Sequence, residues 1–420
     1  MLYWKNKIQA TSQTLAIVLV TTLPAALFAA QDHEPVTRSA SLSYEQVFEN
    51  ALSIAPESLA SGARADQADQ YNRLASSLFP GQPVLEASYI DDGALDAVGL
   101  REIEAGLRLN LWRPGERQQS EGLARGLSDL YQTWQDNLEL EIAGRVRRAV
   151  WALQLADAML ELEREALAAA REFEQLTNAQ FAAGSVAERD VLRARALVMS
   201  QQQAVYEAEA QLVDAEREYQ VITGLNVRPA QTFLEQRSSR TEISISHPLL
   251  QFLQANVEVS RSRVDQVRQV NAERPSIRLG MRRERASVFE SYIDTLGIGF
   301  TMPLGRSPTV AGQVSDARQA QADMQVALQQ GRIMLDQQLH EAEHQLYTME
   351  LTLELAISQV ELSQQQWEMS RLAYETGEAD AVSVVLSLRE LIAARKARAD
   401  AELRYQQLIS DYNQSVGLLP

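Results

Sequence analysis

The chain has 420 residues, 45% hydrophobic but only 6% aromatic, and carries 56 Asp and Glu against 39 Lys and Arg, for a formal net charge of −17. That charge excludes a nucleic-acid binder, which needs basic stripes to meet phosphate; in a channel it would favour cations. With no cysteine there can be no disulfide, thiolate metal site, thiol nucleophile or cysteine-linked lipid. Abundant Ala, Gln, Glu, Leu and Arg is the composition of long helices and coiled coils.

Residues 1–30 read as a secretory signal. Lys5 and Lys7 form a basic start, Leu15 to Ala30 is apolar, and Ala29 and Ala30 offer a cleavage point. The rival reading, a membrane anchor, fits less well because the run is short and contains Thr21, Thr22 and Pro24. No other stretch approaches the roughly 20 apolar residues of a transmembrane helix, so any passage through a membrane must use strands. Asp32 to Ser41 reads as a polar tether. Ser43 then caps a helix with Glu45 in its first turn, Pro56 interrupts it, and a second helix runs from Glu57 to Leu78. Phe79-Pro80-Gly81-Gln82-Pro83 stops that helix.

Period-2 alternation follows. Leu85, Ala87 and Tyr89 alternate with Glu86 and Ser88. After the turn at Asp91-Asp92-Gly93, Ile103, Ala105, Leu107, Leu109 and Leu111 alternate with mostly polar residues. Such strands fit either a half-buried soluble sheet or a barrel with lipid outside and water inside; export favours the barrel. Trp112, Tyr89, Tyr292 and Phe300 suit interfacial aromatic belts or ordinary strand packing. A long proline-free segment, Glu116 to Gln180, then predicts a helix of roughly 100 Å at about 1.5 Å per residue. Phe181-Ala182-Ala183-Gly184 turns it into a return helix over Val186 to Ile222. Leu225 to Ser246 is a non-helical bridge.

The second half says the same again. Ile277, Leu279 and Met281, then Leu296, Ile298, Phe300 and Met302, alternate as strands; Gly312 to Thr376 is proline-free; Tyr374-Glu375-Thr376-Gly377 is the second turn; Ala379 to Ser415 returns. The turn motifs lie 193 residues apart, too far for a solenoid unit, so the chain is a duplicated half-protein. Its parts are a signal (1–30), a first repeat (31–223), a bridge (224–247) and a second repeat (248–420). The fold class is α+β, mainly α.

One string suggests chemistry. His340-Glu341-Ala342-Glu343-His344 fits the zinc-protease helix motif. It sits midway along a predicted rod, without a cleft and with Glu350, Glu354 and Glu361 farther along the same helix, so it reads as two surface histidines. No Gly-rich phosphate loop follows a strand, and the histidines form no hydrolase order with the serines. No catalytic residue, metal site or cofactor is expected.

Pro83 before a strand, Thr301-Met302-Pro303-Leu304 at a strand end, the Tyr374-x-x-Gly377 turn and Gly184-Ser185-Val186-Ala187-Glu188-Arg189-Asp190-Val191-Leu192 together resemble the TolC-like outer membrane efflux proteins. The resemblance runs from Ser41 to the C-terminus. It implies a homotrimer in which each protomer gives four strands to one twelve-stranded outer-membrane barrel, and whose coiled-coil helices form a periplasmic tunnel. It further implies a passive duct completed by a periplasmic adaptor and an inner-membrane pump, of the RND type, with the adaptor docking at Gly184, Ser185, Val186, Gly377, Glu378 and Ala379. Met302-Pro303-Leu304 followed by Gly305-Arg306-Ser307-Pro308 is loosely similar to the heavy-metal-efflux branch, which would make metal cations a cargo. The family's tip gate is not carried over: Tyr374 fits it, but Ala379, Ser383 and Leu386 occupy its charged positions. Glu378 and Asp380 are the candidate replacements, so the expected constriction is Tyr374, Glu378 and Asp380. The alternative classes are a soluble periplasmic helical scaffold and a zinc protease.

Overall fold

A computed structural model describes residues 34–94, 98–270, 274–304 and 308–420. The secretory segment lies outside the described residues, as do Gly305, Arg306 and Ser307. Helix α1 (Tyr44–Ile54) begins with a reciprocal cap: Gln46 N donates to Ser43 Oγ at 3.2 Å and Ser43 N donates to Gln46 Oε1 at 3.0 Å. Pro56 opens a short 3-10 turn, Pro56–Ser58, and α2 continues over Leu59–Ser76. Ser77 is already extended, so the Pro- and Gly-rich stop acts slightly earlier than Leu78.

Of the expected polar tether, 32–41, the part from Val36 to Ser39 is tied down. Strand β1 (Thr37–Ser39) pairs in parallel with β4 (Val227–Pro229) inside the bridge. Val36 is buried and its N–H donates to Glu216 Oε1 at 3.2 Å, while Asp157 pairs with both Arg38 and Arg228. The start of the compact unit is thereby fastened to the bridge.

The remaining strands form one antiparallel sheet in the order β2 (Val84–Asp91), β3 (Arg101–Asn110), β5 (Ser276–Arg285), β6 (Ile293–Thr301). Each half contributes a hairpin, and the halves join through β3 and β5 with Leu107 opposite Leu279. At this junction Gly106 faces Gly280. A Cβ on Gly106 would lie 3.0 Å from Leu279 O and 3.2 Å from Gly280 Cα, so the facing glycines let the strands meet without crowding.

Two long hairpins follow the sheet. The first is α3 (Glu116–Ala182, 67 residues) with α4 (Glu188–Thr223); the second is α6 (Pro308–Glu375, 68 residues) with α7 (Ala381–Ser415). Beyond the reach of α4 and α7, α3 and α6 are flanked by α2 and by α5 (Pro248–Val270). Helix α5, to which no segment of the sequence reading was assigned, takes in the second half the place of α1 and α2 in the first. The 193-residue offset holds in detail: the left-handed glycines Gly184 and Gly377, and again Gly224 and Gly417, are that far apart. So are Tyr219 and Tyr412, both buried, whose hydroxyls donate to bridge carbonyls of Val227 and Arg240.

The main core lies where α1, α3, α4 and the bridge meet, around Trp134, Val146, Val150, Trp151 and Phe233. Trp151 Nε1 donates to Ser410 Oγ at 2.9 Å. One helical turn away, Arg147 is buried and grips Glu235 of the bridge twice, at 2.7 and 3.1 Å. The same guanidinium donates to Leu418 O at 3.0 Å and Gln414 Oε1 at 2.5 Å. One side chain therefore fixes α3, the bridge, α7 and the C-terminal turn to one another. Removing it strands the Glu235 carboxylate without its cation. Arg147→Ala should then cost about 3–5 kcal/mol, read as a large loss in thermal unfolding of the detergent-purified protein; a loss below about 1 kcal/mol would contradict the arrangement.

Candidate functional site

The sheet has two chemically opposite faces. On one, rows of apolar side chains cross all four strands: Leu85, Leu107, Leu279 and Ile298 in one register, Ala87, Ala105, Met281 and Leu296 in the next. Among the described residues nothing covers this face, and Leu296 and Ile298 are 79% and 75% exposed. The opposite face carries acids and bases in cross-strand pairs: Arg108 with Glu86 at 2.9 Å, Arg278 with Glu104 at 3.2 Å and Arg282 with Glu102 at 2.9 Å. An exposed apolar sheet face of this size is a lipid or partner surface. Its charged reverse is what a water-filled lumen requires.

The sheet is also open. Among the described residues β2 and β6 each pair on one side only, leaving two edges of unmet backbone hydrogen-bonding groups. No described helix is long and apolar enough to cross a membrane. Strands of 8–10 residues, at about 3.3 Å each, reach roughly 30 Å, enough to cross an apolar band about 25 Å tall when tilted. Just past β3, half-buried Trp112 donates through Nε1 to Ser77 O at 3.2 Å. It anchors the sheet to the end of α2.

At the far end of the hairpins the two turns are built alike. Ser185 N donates to Gln180 O and Gly184 N to Phe181 O, both at 2.9 Å; Glu378 N donates to Ala373 O at 2.8 Å and Gly377 N to Tyr374 O at 3.1 Å. This paired pattern closes a helix C-terminus when the next residue is left-handed, and Gly184 (φ 76°) and Gly377 (φ 81°) provide that conformation. Gly184, Ser185, Gly377 and Glu378 are exposed, whereas Val186 and Ala379 are half-buried.

The three expected constriction residues separate. Glu378 is exposed. Asp380 is also exposed but is the N-cap of α7: its Oδ1 accepts from Ser383 Oγ at 2.8 Å and from Ser383 N at 3.0 Å. These hydrogen bonds, and beyond them Arg193 and Arg189, hold its carboxyl below the usual range. Tyr374 turns inward. It is 2% exposed, its ring tilted 52° to that of Phe173 with centroids 5.6 Å apart, and its hydroxyl 3.4 Å from Thr177 Oγ1. Burial pushes its phenol pKa up. An aromatic ring beside apolar partners of the neighbouring hairpin gains more by packing there than by facing water. Asp190, which carried part of the family resemblance, is buried beside the same cluster with Arg193 at 3.0 Å.

His340 and His344 are both exposed on α6. Among the described residues no group of three metal-binding side chains gathers around them or elsewhere.

Residues 97–225 match the family model of outer membrane efflux proteins. No curated protein matches the sequence. Among solved structures, the transmembrane channel CusC superposes with a TM-score of 0.73 at 14% identity, covering 89% of this chain and 91% of its own. VceC from Vibrio cholerae gives 0.73 at 14% identity over 89% of this chain and 95% of its own. The Campylobacter jejuni channel CmeC gives 0.71 at 17% identity over 89% and 85%. At such identities the likeness establishes the fold. With that fold over most of its length and the family signature over residues 97–225, which hold β3 and the first long hairpin, the chain resembles the outer membrane efflux proteins.

Proposed function

We propose that three copies of this chain form the outer-membrane exit duct of a tripartite exporter, passive in itself and driven by an inner-membrane pump through a periplasmic adaptor. The observation that carries the reading is the four-stranded sheet, apolar on one face, charged on the other and open at both edges. Membrane barrels need about eight strands or more, so a single copy cannot close one. Three copies supply twelve, and the alternating strand directions let β6 of one copy pair antiparallel with β2 of the next. The long hairpins then extend the lumen roughly 100 Å into the periplasm. Export by the N-terminal signal, with cleavage near Ala30, delivers the chain there; N-terminal sequencing of the membrane-extracted protein checks it. The exposed apolar face argues against a soluble periplasmic scaffold.

This assignment of faces has a direct test. Leu279→Arg puts a charge on the proposed lipid face and should cost about 2–4 kcal/mol near the bilayer midplane, seen as a strong loss of assembled protein in the outer-membrane fraction. Thr295→Arg, on the opposite face across from Arg282, should assemble nearly as wild type. Equal tolerance of both variants would mean the sheet does not face lipid.

The exposed turns are the surface we assign to the adaptor, of the class that serves an RND-type pump. Glu378 and Asp380 are the side chains we assign to the constriction, where three copies would set a ring of carboxylates that favours cations, metal ions among them. Two variants separate the roles. Ser185→Trp alters only an exposed turn position and should abolish export by cells while channels assemble and conduct normally; unimpaired export would remove this turn from the docking surface. Glu378→Gln with Asp380→Asn keeps the α7 cap, since Asn caps as well as Asp. It should weaken the cation preference measured by single-channel reversal potential in a KCl gradient. An unchanged preference would mean these carboxylates do not line the conducting path.

A further inference from the structure

The apolar face of the sheet changes character at one end. Along the strands away from the helices, the apolar rows of Leu107 and Ala105 are followed by two more rows on the same face. The first holds Tyr89, Ile103, Arg283 and Asp294; the second holds Asp91, Arg101 and Arg285, with Tyr292 immediately ahead of β6. Three arginines therefore stand on the face whose preceding rows are apolar. Leu107 and Arg101 are six residues apart on β3, roughly 20 Å along a strand and about 15 Å in height once the strand is tilted. With Leu107 near the middle of a bilayer, Arg101 reaches the headgroups.

Two of these arginines are set directly against each other. Arg101 is the cross-strand partner of Arg285, and Arg283 follows on the same face of β5. Like charges placed opposite one another destabilise a sheet, the more so where lipid replaces water. The protomer answers this only in part. Asp91 accepts from Arg101 at 3.1 Å, and Asp294 takes Arg283 through both oxygens at 2.7 and 3.0 Å. Arg285 pairs with no carboxylate among the described residues; its Nε donates to Gly99 O at 3.2 Å. The other acids nearby are engaged elsewhere or apart. Glu102 and Glu284 hold Arg282 on the opposite face, Asp92 accepts from Gly99 N, and Glu290, in the loop after β5, pairs with none of the three. Tyr292 steadies the two arginines of β5, with Arg285 over its ring at 4.9 Å and Arg283 at 5.6 Å. A guanidinium held by its flat face keeps its in-plane donors for another acceptor.

We propose that this rim binds the phosphate of an anionic lipid headgroup, with Arg101 and Arg285 as its donors and Arg283 beside them. The proposal rests on the reading of the sheet as lipid-facing with its helices in the periplasm, which puts these rows at the outer leaflet. Phosphate oxygens match the guanidinium fork, so one phosphate between Arg101 and Arg285 replaces a repulsive pair with charge-assisted hydrogen bonds. The site selects a phosphate without a compensating ammonium, because the unmatched charge on this face is that of a single guanidinium, Arg285.

Native mass spectrometry of the full-length, detergent-purified protein tests this, because it reads bound lipid and the number of chains together. Incubated with phosphatidylglycerol or phosphatidylcholine, the wild type should retain the first in clear preference. Arg101→Gln with Arg285→Gln should lower retained phosphatidylglycerol about ten-fold, the scale of losing hydrogen bonds to a charged group, and leave phosphatidylcholine unchanged. Arg285→Gln alone strands no carboxylate and should shift retention in the same direction, which keeps the test open if the double variant fails to assemble. Arg282→Gln, on the opposite face, should bind as the wild type does. Equal retention of the two lipids by the wild type, or an equal loss in Arg282→Gln, would overturn the site. If neither lipid is retained and Leu279→Arg also assembles normally, the lipid-facing reading of the sheet fails with it.

Discussion

A bilayer offers no partner for a backbone N–H or C=O, and the rest of this molecule follows from that. A strand inside lipid must have hydrogen-bonded neighbours on both sides. The sheet here has four strands and two unpaired edges, so it is incomplete as a single copy. In the proposed duct other copies close it, and the first long helix follows β3 within a few residues. Residues such as Trp112, bonded to Ser77 O, stiffen that transition so that sheet and hairpins hold one geometry.

Duplication meets this constraint economically. One half supplies a strand hairpin and a helical hairpin, and the second half repeats them with the same glycine-terminated turns. In the proposed trimer six near-equivalent units would surround one axis with only three chains. The equivalence is structural rather than chemical. At the tip, Asp380 caps α7 whereas α4 starts at Ala187 with no side-chain cap, and Tyr374 is buried whereas Phe181 is not. Such differences let neighbouring seams carry different interactions on one backbone plan.

Much of this was legible in the sequence because it rests on short-range rules. Alternation located all four strands of the antiparallel sheet. Freedom from proline located the two long helices, and Gly184 and Gly377 marked the turns. What escaped was long-range or ambiguous. Strand β1 is three residues, Thr37–Ser39, paired with residues 190 positions away; nothing local announces it. Arg147 and Glu235 are 88 residues apart and no periodicity links them. Helix α5 did carry a signal, with Pro248 at its first turn and Leu250, Leu253, Val257 and Val264 at helical spacing. For Tyr374 the turn motif marked the height along the hairpin but not the direction of the side chain, which packs against Phe173. The sequence likewise marks Glu378 and Asp380 as exposed acids near the turn, while only the coordinates show that Asp380 is occupied as a cap.

The claim on which everything else depends is that the open edges of the sheet are met by other copies of the same chain. Electron cryomicroscopy of the detergent-extracted protein tests it most directly. The account predicts one barrel of twelve strands with three-fold symmetry, β6 of each copy hydrogen-bonded antiparallel to β2 of the next, and the Leu279 and Ile298 side chains pointing into the detergent belt. A single chain whose sheet is closed or covered by its own residues would contradict it.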